Sequence, residues 1–266
     1  MSAIIDPQTR ARSAPRVSPH ARRGGLKATE RRFGLLLLVP ALTAFGIVVL
    51  FPFIEALGLS FYEYTIQMSE PEWTGLDNFV AVLTDQAVIS SFVTTMIFVG
   101  LATVFSILLG LGWALILNHP FRGRNVIRGL SLMPWVMPAI VAAFIWGWIF
   151  NSRYGLLNAL AMELGFIDLP QAYLSTPAGA MAAVVIAKVW LSVPLFMAFF
   201  IAGLQSMDRE QIEAARVDGA GNWQILAHHI LPHLKPVIMV TVVLGMIGNL
   251  QHFDTIWALT GGGPVR

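Results

Sequence analysis

No cysteine occurs in the 266 residues, and lysine occurs only as Lys27, Lys188 and Lys235. The first absence excludes disulfides and thiolate metal sites. The second excludes a nucleotide-binding P-loop: its Gly-x-x-x-x-Gly-Lys-Ser/Thr pattern needs a lysine that none of the three supplies. Charge is scarce as well. Only 12% of the residues are charged and 56% are hydrophobic, whereas a soluble domain carries roughly 25% charged residues. Apolar stretches contain no metal-ligand cluster and no nucleophile–base constellation. The adjacent His228 and His229 point in different directions on a helix, so they make no metal site. A membrane enzyme is therefore disfavoured.

What is present is a set of apolar runs of the length a bilayer demands. A helix rises about 1.5 Å per residue, so roughly 20 residues cross about 30 Å of hydrocarbon. The chain reads as all-α, a polytopic membrane helix bundle with five spans. These run from about 33 to 56, 88 to 117, 129 to 150, 178 to 205 and 236 to 252. Residues 1–32 form a basic, mostly disordered tail, and residues 33–266 one transmembrane domain. Between the first two spans lies a hydrophilic connection from Gly58 to Gln86 that is acidic and free of Lys and Arg. A loop from Asn151 to Pro177 is expected to hold a short interfacial helix.

Positive charge alternates along these connections. The tail holds eight Lys and Arg, the connection after the second span holds Arg122, Arg124 and Arg128, and the loop after the fourth holds Arg209, Arg216 and Lys235. The opposite side receives only Arg153 and Arg266. This bias places the N-terminus in the cytoplasm and makes the basic balance topological. Nucleic acid is not an expected partner.

The loop 206–235 carries the most information. Asp208, three residues before Gln211, resembles a capping box. Ile212, Ala214 and Ala215 give a small apolar face, with Glu213, Arg216 and Asp218 on a charged one. Gly219 suits the left-handed end of a helix. Asn222 reads as a second N-cap, Trp223, Leu226 and Ile230 follow near helical spacing, and Pro232 closes the segment. A short helix, a glycine turn and a second helix are expected, lying against the membrane face.

The order of residues in this loop carries a resemblance. The string EAARVDGAGNWQILAHHILP, Glu213 to Pro232, is similar to the EAA loop of permease subunits of binding-protein-dependent ABC importers. Glu213, Ala214, Ala215, Gly219, Leu231 and Pro232 fit its spacing, and His229 departs from the usual Ile. GLDNF (Gly75 to Phe79), FRGRNVIR (Phe121 to Arg128) and LTGGGP (Leu259 to Pro264) resemble the sugar-importing branch, the maltose and glycerol-phosphate type. The resemblance implies the type I ABC importer permease fold, with a sixth span beyond Arg266, in the inner membrane of a prokaryote. It implies a permease for a sugar, as an oligosaccharide, disaccharide or polyol, that is no enzyme and holds no cofactor. ATP and Mg would reside in two cytoplasmic ATPase subunits. A second homologous permease chain and an extracytoplasmic sugar-binding protein complete the expected partners. Glu213 and Arg216 would contact the ATPase, Ala214 and Ala215 would permit close approach, and Gly219 would set the turn. An amino acid, phosphate or peptide permease is the alternative within the superfamily, and an ATP-independent secondary transporter the alternative outside it.

Polar residues within spans are costly and line cavities. Lys188 is the charge well inside a span, and Ser192 follows one turn later on the same face. With Asn249, His252, Asp254 and Trp135 they form the candidate substrate path. Aligned from the EAA string, Lys188, Ser192 and Asn249 fall near positions that face the path in maltose-type permeases. Trp190 and Trp257 are further candidates for stacking on a sugar. The competing readings are snorkelling of Lys188 to headgroups, an interfacial belt or packing for the tryptophans, and plain loop positions for His252 and Asp254.

Overall fold

A computed structural model describes residues 23–63 and 71–263. The chain divides into two compact units at Asp85/Gln86, and the expected basic tail, residues 1–32, falls within the first. Residues 1–22 of that tail lie outside the described residues. From Arg23 onward it is already helical.

In the first unit, α1 (Arg23–Phe45) and α2 (Phe51–Leu59) continue each other through a π-turn, Gly46–Leu50. The stretch Arg31–Leu59 is long and apolar enough to cross a membrane. Its side chains are exposed around the whole circumference, as expected of a helix whose solvent is lipid. The π-turn has a local cause. Pro52 has no N–H to give and its ring crowds the carbonyl four residues back. The wider turn, closed by Phe51 N–H on the Gly46 carbonyl, makes room for it.

Next comes an exception to the all-α expectation. β1 (Tyr62–Glu63) and β2 (Glu72–Trp73) pair antiparallel, Tyr62 opposite Trp73. Phe61 stacks on Trp73 at 5.7 Å and meets Phe79 at 5.3 Å. α3 (Asp77–Thr84) follows. The Asn78 side chain of the GLDNF string donates to the Ser60 and Tyr62 carbonyls, both at 3.0 Å. That asparagine ties the end of α2 to the strand pair.

The second unit is built around α4 (Gln86–Asn118) and α9 (Pro177–Gln205). Their seam is made by small residues and aromatics. Ala102 meets Ala183 and Ala187 in one cluster, and Ala114 and Leu117 join Phe196, Met197 and Phe200 in another. Small side chains let helices approach where apolar burial supplies no drive, because lipid is as apolar as leucine. Gly110 marks the closest approach: a Cβ there would lie 2.8 Å from Phe196 Cβ.

Three boundaries differ from expectation. The expected third span is a bent helix pair: Arg124–Val136 and Ala139–Ile149 meet at 97°. It comprises α5 (Arg124–Ser131), α6 (Met133–Val136) and α7 (Ala139–Ile149). Met137 is extended because Pro138 disfavours helical backbone before it. The expected interfacial helix is α8 (Leu156–Glu163). Its buried Asn158 bonds the Asn151 and Gln171 carbonyls, holding that loop closed.

The last long helix starts earlier than expected. After α10 (Arg209–Val217), α11 (Asn222–Ile225), a π-turn (Leu226–Ile230) and α12 (Leu231–Leu250) run as one element. Pro232 therefore does not close a helix. Leu231 N–H reaches the Leu226 carbonyl in a π-turn that accommodates the proline, as before Pro52. The chain then bends into α13 (Asp254–Thr260), a short helix with no counterpart in the expected elements. Among the described residues four helices are long and apolar enough to cross a membrane, or five if the bent pair is one span.

Candidate functional site

Two constellations follow from this architecture. The first is the helix–turn–helix of the EAA string. Asp208 caps α10, its carboxylate accepting from the Glu210 N–H at 3.0 Å. The reciprocal bond expected from Gln211 is not part of this cap. At the other end Gly219 is left-handed at φ 85°. Its N–H bonds the Arg216 carbonyl at 3.0 Å, and the Ala220 N–H bonds the Ala215 carbonyl at 2.9 Å. This is the Schellman arrangement, which a residue with a Cβ enters only at a cost. The next helix is capped at Gly221 rather than Asn222: the Gln224 side chain accepts from the Gly221 N–H at 2.8 Å.

α10 turns one face inward. Ala215 is buried within the chain and Ile212 half-buried. Of the two alanines expected to permit close approach of a partner, Ala214 is exposed and Ala215 is covered by this chain itself. Ala215 packs inside because it lies one turn beyond Ile212 on the same face. Glu213 and Arg216 are exposed at the rim of a hollow of about 680 Å³ that Arg124 and Asp208 also line. Leu231 is half-buried and Pro232 exposed. Two large apolar residues stand out on this surface, Val217 at 87% and Trp223 at 76% exposure. Ile225, two residues after Trp223, is buried.

The FRGRNVIR string contributes a residue that charge counting alone did not single out. Arg128 Nη2 donates to the Leu117 carbonyl at 2.7 Å, in the last turn of α4. A cation there satisfies an orphan carbonyl and opposes the negative end of the helix dipole. The available signal was an arginine a short turn beyond a helix end.

The second constellation lies where α9, α12 and α13 meet. Lys188 Nζ donates to His252 Nδ1 at 3.4 Å. His252 Nε2–H donates in turn to Thr255 Oγ1 at 2.8 Å, and the Thr255 hydroxyl reaches the Ala139 carbonyl at 3.5 Å. A neutral imidazole protonated on Nε2 satisfies every contact in this chain. Thr255 is fully buried, at 0% exposure, whereas Lys188 and His252 are half-buried. Ser192 lies one turn from Lys188, half-buried, with a hydroxyl that makes no hydrogen bond among the described residues.

The remaining candidates do not join this group. Asn249 is buried, at 4% exposure, and its amide donates to Thr103 Oγ1 on α4 at 2.9 Å. Asp254 is exposed at the start of α13. Trp135 is exposed on α6, and Trp257 is exposed with Phe253 stacked on it at 5.6 Å. Trp190 meets Trp146 edge-on at 6.0 Å and lines an apolar hollow of about 860 Å³ between α4 and α9.

Residues 106–266, more than half of the chain, match the family of binding-protein-dependent transport system inner membrane components. This chain belongs to that family. The permease is 36% identical to the trehalose/maltose transport system permease protein MalF of Thermococcus litoralis, over 90% of this chain and 80% of that one. It is 32% identical to the sn-glycerol-3-phosphate transport system permease protein UgpA of Yersinia enterocolitica, over 87% and 78% of the two chains. The fold is also that of a bacterial ABC transporter that imports the acidic polysaccharide alginate. The TM-score is 0.70 at 21% identity, covering 88% of this permease and 82% of that chain.

Proposed function

We propose that this permease is the membrane-spanning subunit of an ATP-driven importer for a sugar or similar polyol and forms half of its translocation path. The observation that carries the proposal is α10 with its glycine turn. A capped helix is held at a fixed angle by the Gly219 arrangement and presents Glu213, Arg216, Val217 and Trp223 outward. Exposed apolar side chains beside charged ones suit a protein partner. Relatives named for trehalose and maltose, and for glycerol phosphate, support the solute class.

In this reading the partner at α10 is one of two ATPase subunits that hold ATP and Mg, since this chain has no P-loop. A second homologous permease supplies the other half of the path, and an extracytoplasmic binding protein delivers the sugar. Charge bias puts α10 and the N-terminus on the cytoplasmic side of a prokaryotic inner membrane. Closure of the ATPases on ATP would then move α10, and with it the continuous helix Asn222–Leu250, as a rigid body.

The test is Glu213→Lys together with Gly219→Val. A β-branched residue at φ 85° costs about 1–2 kcal/mol and misdirects the turn. Both variants are expected to insert normally yet lose ATP-dependent uptake and co-purification with the ATPase. Normal uptake and normal recruitment in both would sink the docking role.

A further inference from the structure

Lys188 is poorly explained by structural needs alone. It is the twelfth residue of α9, so its Cα lies roughly 17 Å along the helix from Pro177. A cation at that depth is expensive unless it is paired or faces a polar path. Among the described residues no carboxylate lies within ion-pair distance of it. Asp254, two residues beyond His252, is exposed and forms no such pair. The Lys188 side chain reaches across the bundle to His252, whose ring is fixed from behind by Thr255 and the Ala139 carbonyl.

The remaining hydrogen-bonding capacity of the Lys188–His252 pair is one-sided. An ammonium has three N–H donors and no acceptor. One points to His252 Nδ1, which leaves two. The unpartnered Ser192 hydroxyl, one turn away on the same face, can donate as well as accept. Both nitrogens of His252 are committed, so the imidazole offers nothing further. A neutral sugar hydroxyl both donates and accepts, and suits carboxylate or amide partners. Asn249, which had that capacity, is turned to Thr103. Two ammonium donors, with a hydroxyl able to donate beside them, suit a group that accepts and carries negative charge.

We infer that the Lys188–His252 strip, with Ser192, receives the acid group of an anionic sugar: a carboxylate, sulfonate or phosphate carried on the solute. This rests on the importer reading above and narrows the solute class of that same path. His252 and Thr255 act as positioning residues, holding the ammonium away from the headgroups and toward the path.

The experiment uses the whole importer with its ATPases and binding protein in proteoliposomes. The probes are cellobiose, its uronate cellobiouronic acid, glycerol and glycerol 3-phosphate, taken as matched neutral and acidic pairs. Wild type is expected to accumulate an acidic member in preference to its neutral partner. In Lys188→Gln the acidic-to-neutral uptake ratio is expected to fall at least about tenfold, the worth of one charge-assisted hydrogen bond. Ser192→Ala, a gentler change, should lower it about threefold, and Lys188→Arg should restore much of it. Vesicles of phosphatidylcholine alone are compared with vesicles containing phosphatidylglycerol. A Lys188→Gln defect seen only with the anionic lipid would assign the oxyanion to a headgroup and overturn the inference. Uptake confined to neutral probes, or a ratio indifferent to all three substitutions, would also overturn it while leaving the importer reading intact. If no probe is accumulated in an ATP-dependent manner, the importer reading fails and the inference fails with it.

Discussion

The end of α12 meets the rest of the second unit through two polar contacts, and they finish differently. Asn249 faces α4 and closes on Thr103 in a buried pair. It belongs to a tight seam in which Gly110 on α4 faces the Phe196 Cβ and Gly245 on α12 admits the Phe196 ring. Three residues later, His252 faces α9 and holds Lys188 in a strip that stays half-exposed. The first contact is a buried bond between two side chains of the chain itself. The second leaves donors over. Polar residues inside spans thus serve either as glue between helices or as an open set for something outside the chain. Residue type alone does not separate the two uses. The partner across the seam does.

Breaking the closed seam should give the largest effect on stability. Gly110→Val places atoms where Phe196 Cβ already stands, 2.8 Å away. Overpacking of this kind costs about 1–3 kcal/mol. The purified permease should show a clearly lower midpoint of thermal unfolding in detergent. An unchanged midpoint would mean that α4 and α9 can part freely.

A smaller loss is expected from Thr255→Val, which removes the support behind His252 while preserving volume. One buried hydrogen bond is worth about 1 kcal/mol, so stability should drop modestly. The sharper readout is function. The acidic-to-neutral uptake ratio should fall as well, because the ammonium loses its direction. A stability change without any change in that ratio would make Thr255 merely structural.

The smallest effect tests the glue itself. Asn249→Leu and Thr103→Val, alone and combined, form a double-mutant cycle. Inter-helix side-chain bonds in membrane proteins average about 0.6 kcal/mol of coupling. A coupling near that figure, with uptake selectivity unmoved in each variant, would confirm Asn249 as seam rather than path. Selectivity that follows Asn249 would merge the two contacts into one site.

The span-forming stretches at Gln86–Asn118 and Pro177–Gln205 were legible because an apolar run of bilayer length has few other uses. The turn at Gly219 was legible because a glycine after a capped, charged helix needs the left-handed conformation. Prolines were harder. Pro138 breaks its helix through 97°, whereas Pro232 and Pro52 are absorbed by π-turns, and Pro194 stays within α9. The residue is the same in each case, and the outcome depends on whether neighbouring backbone can rebuild the lost hydrogen bond. The strand pair near Trp73 escaped notice because two-residue strands leave no periodicity to detect.

Composition and spacing therefore determined what kind of molecule this is: a helical membrane permease with a capped helix and glycine turn, and without the P-loop pattern. Those properties follow from run lengths, missing motifs and local caps, each of which acts over a few neighbouring residues. Tertiary structure alone decided that Ala215 faces inward, that Asn249 is spent on Thr103, and that Lys188 is held by His252. These pairings join residues far apart in the chain, and only helix packing determines which polar groups meet and which are left with donors to offer.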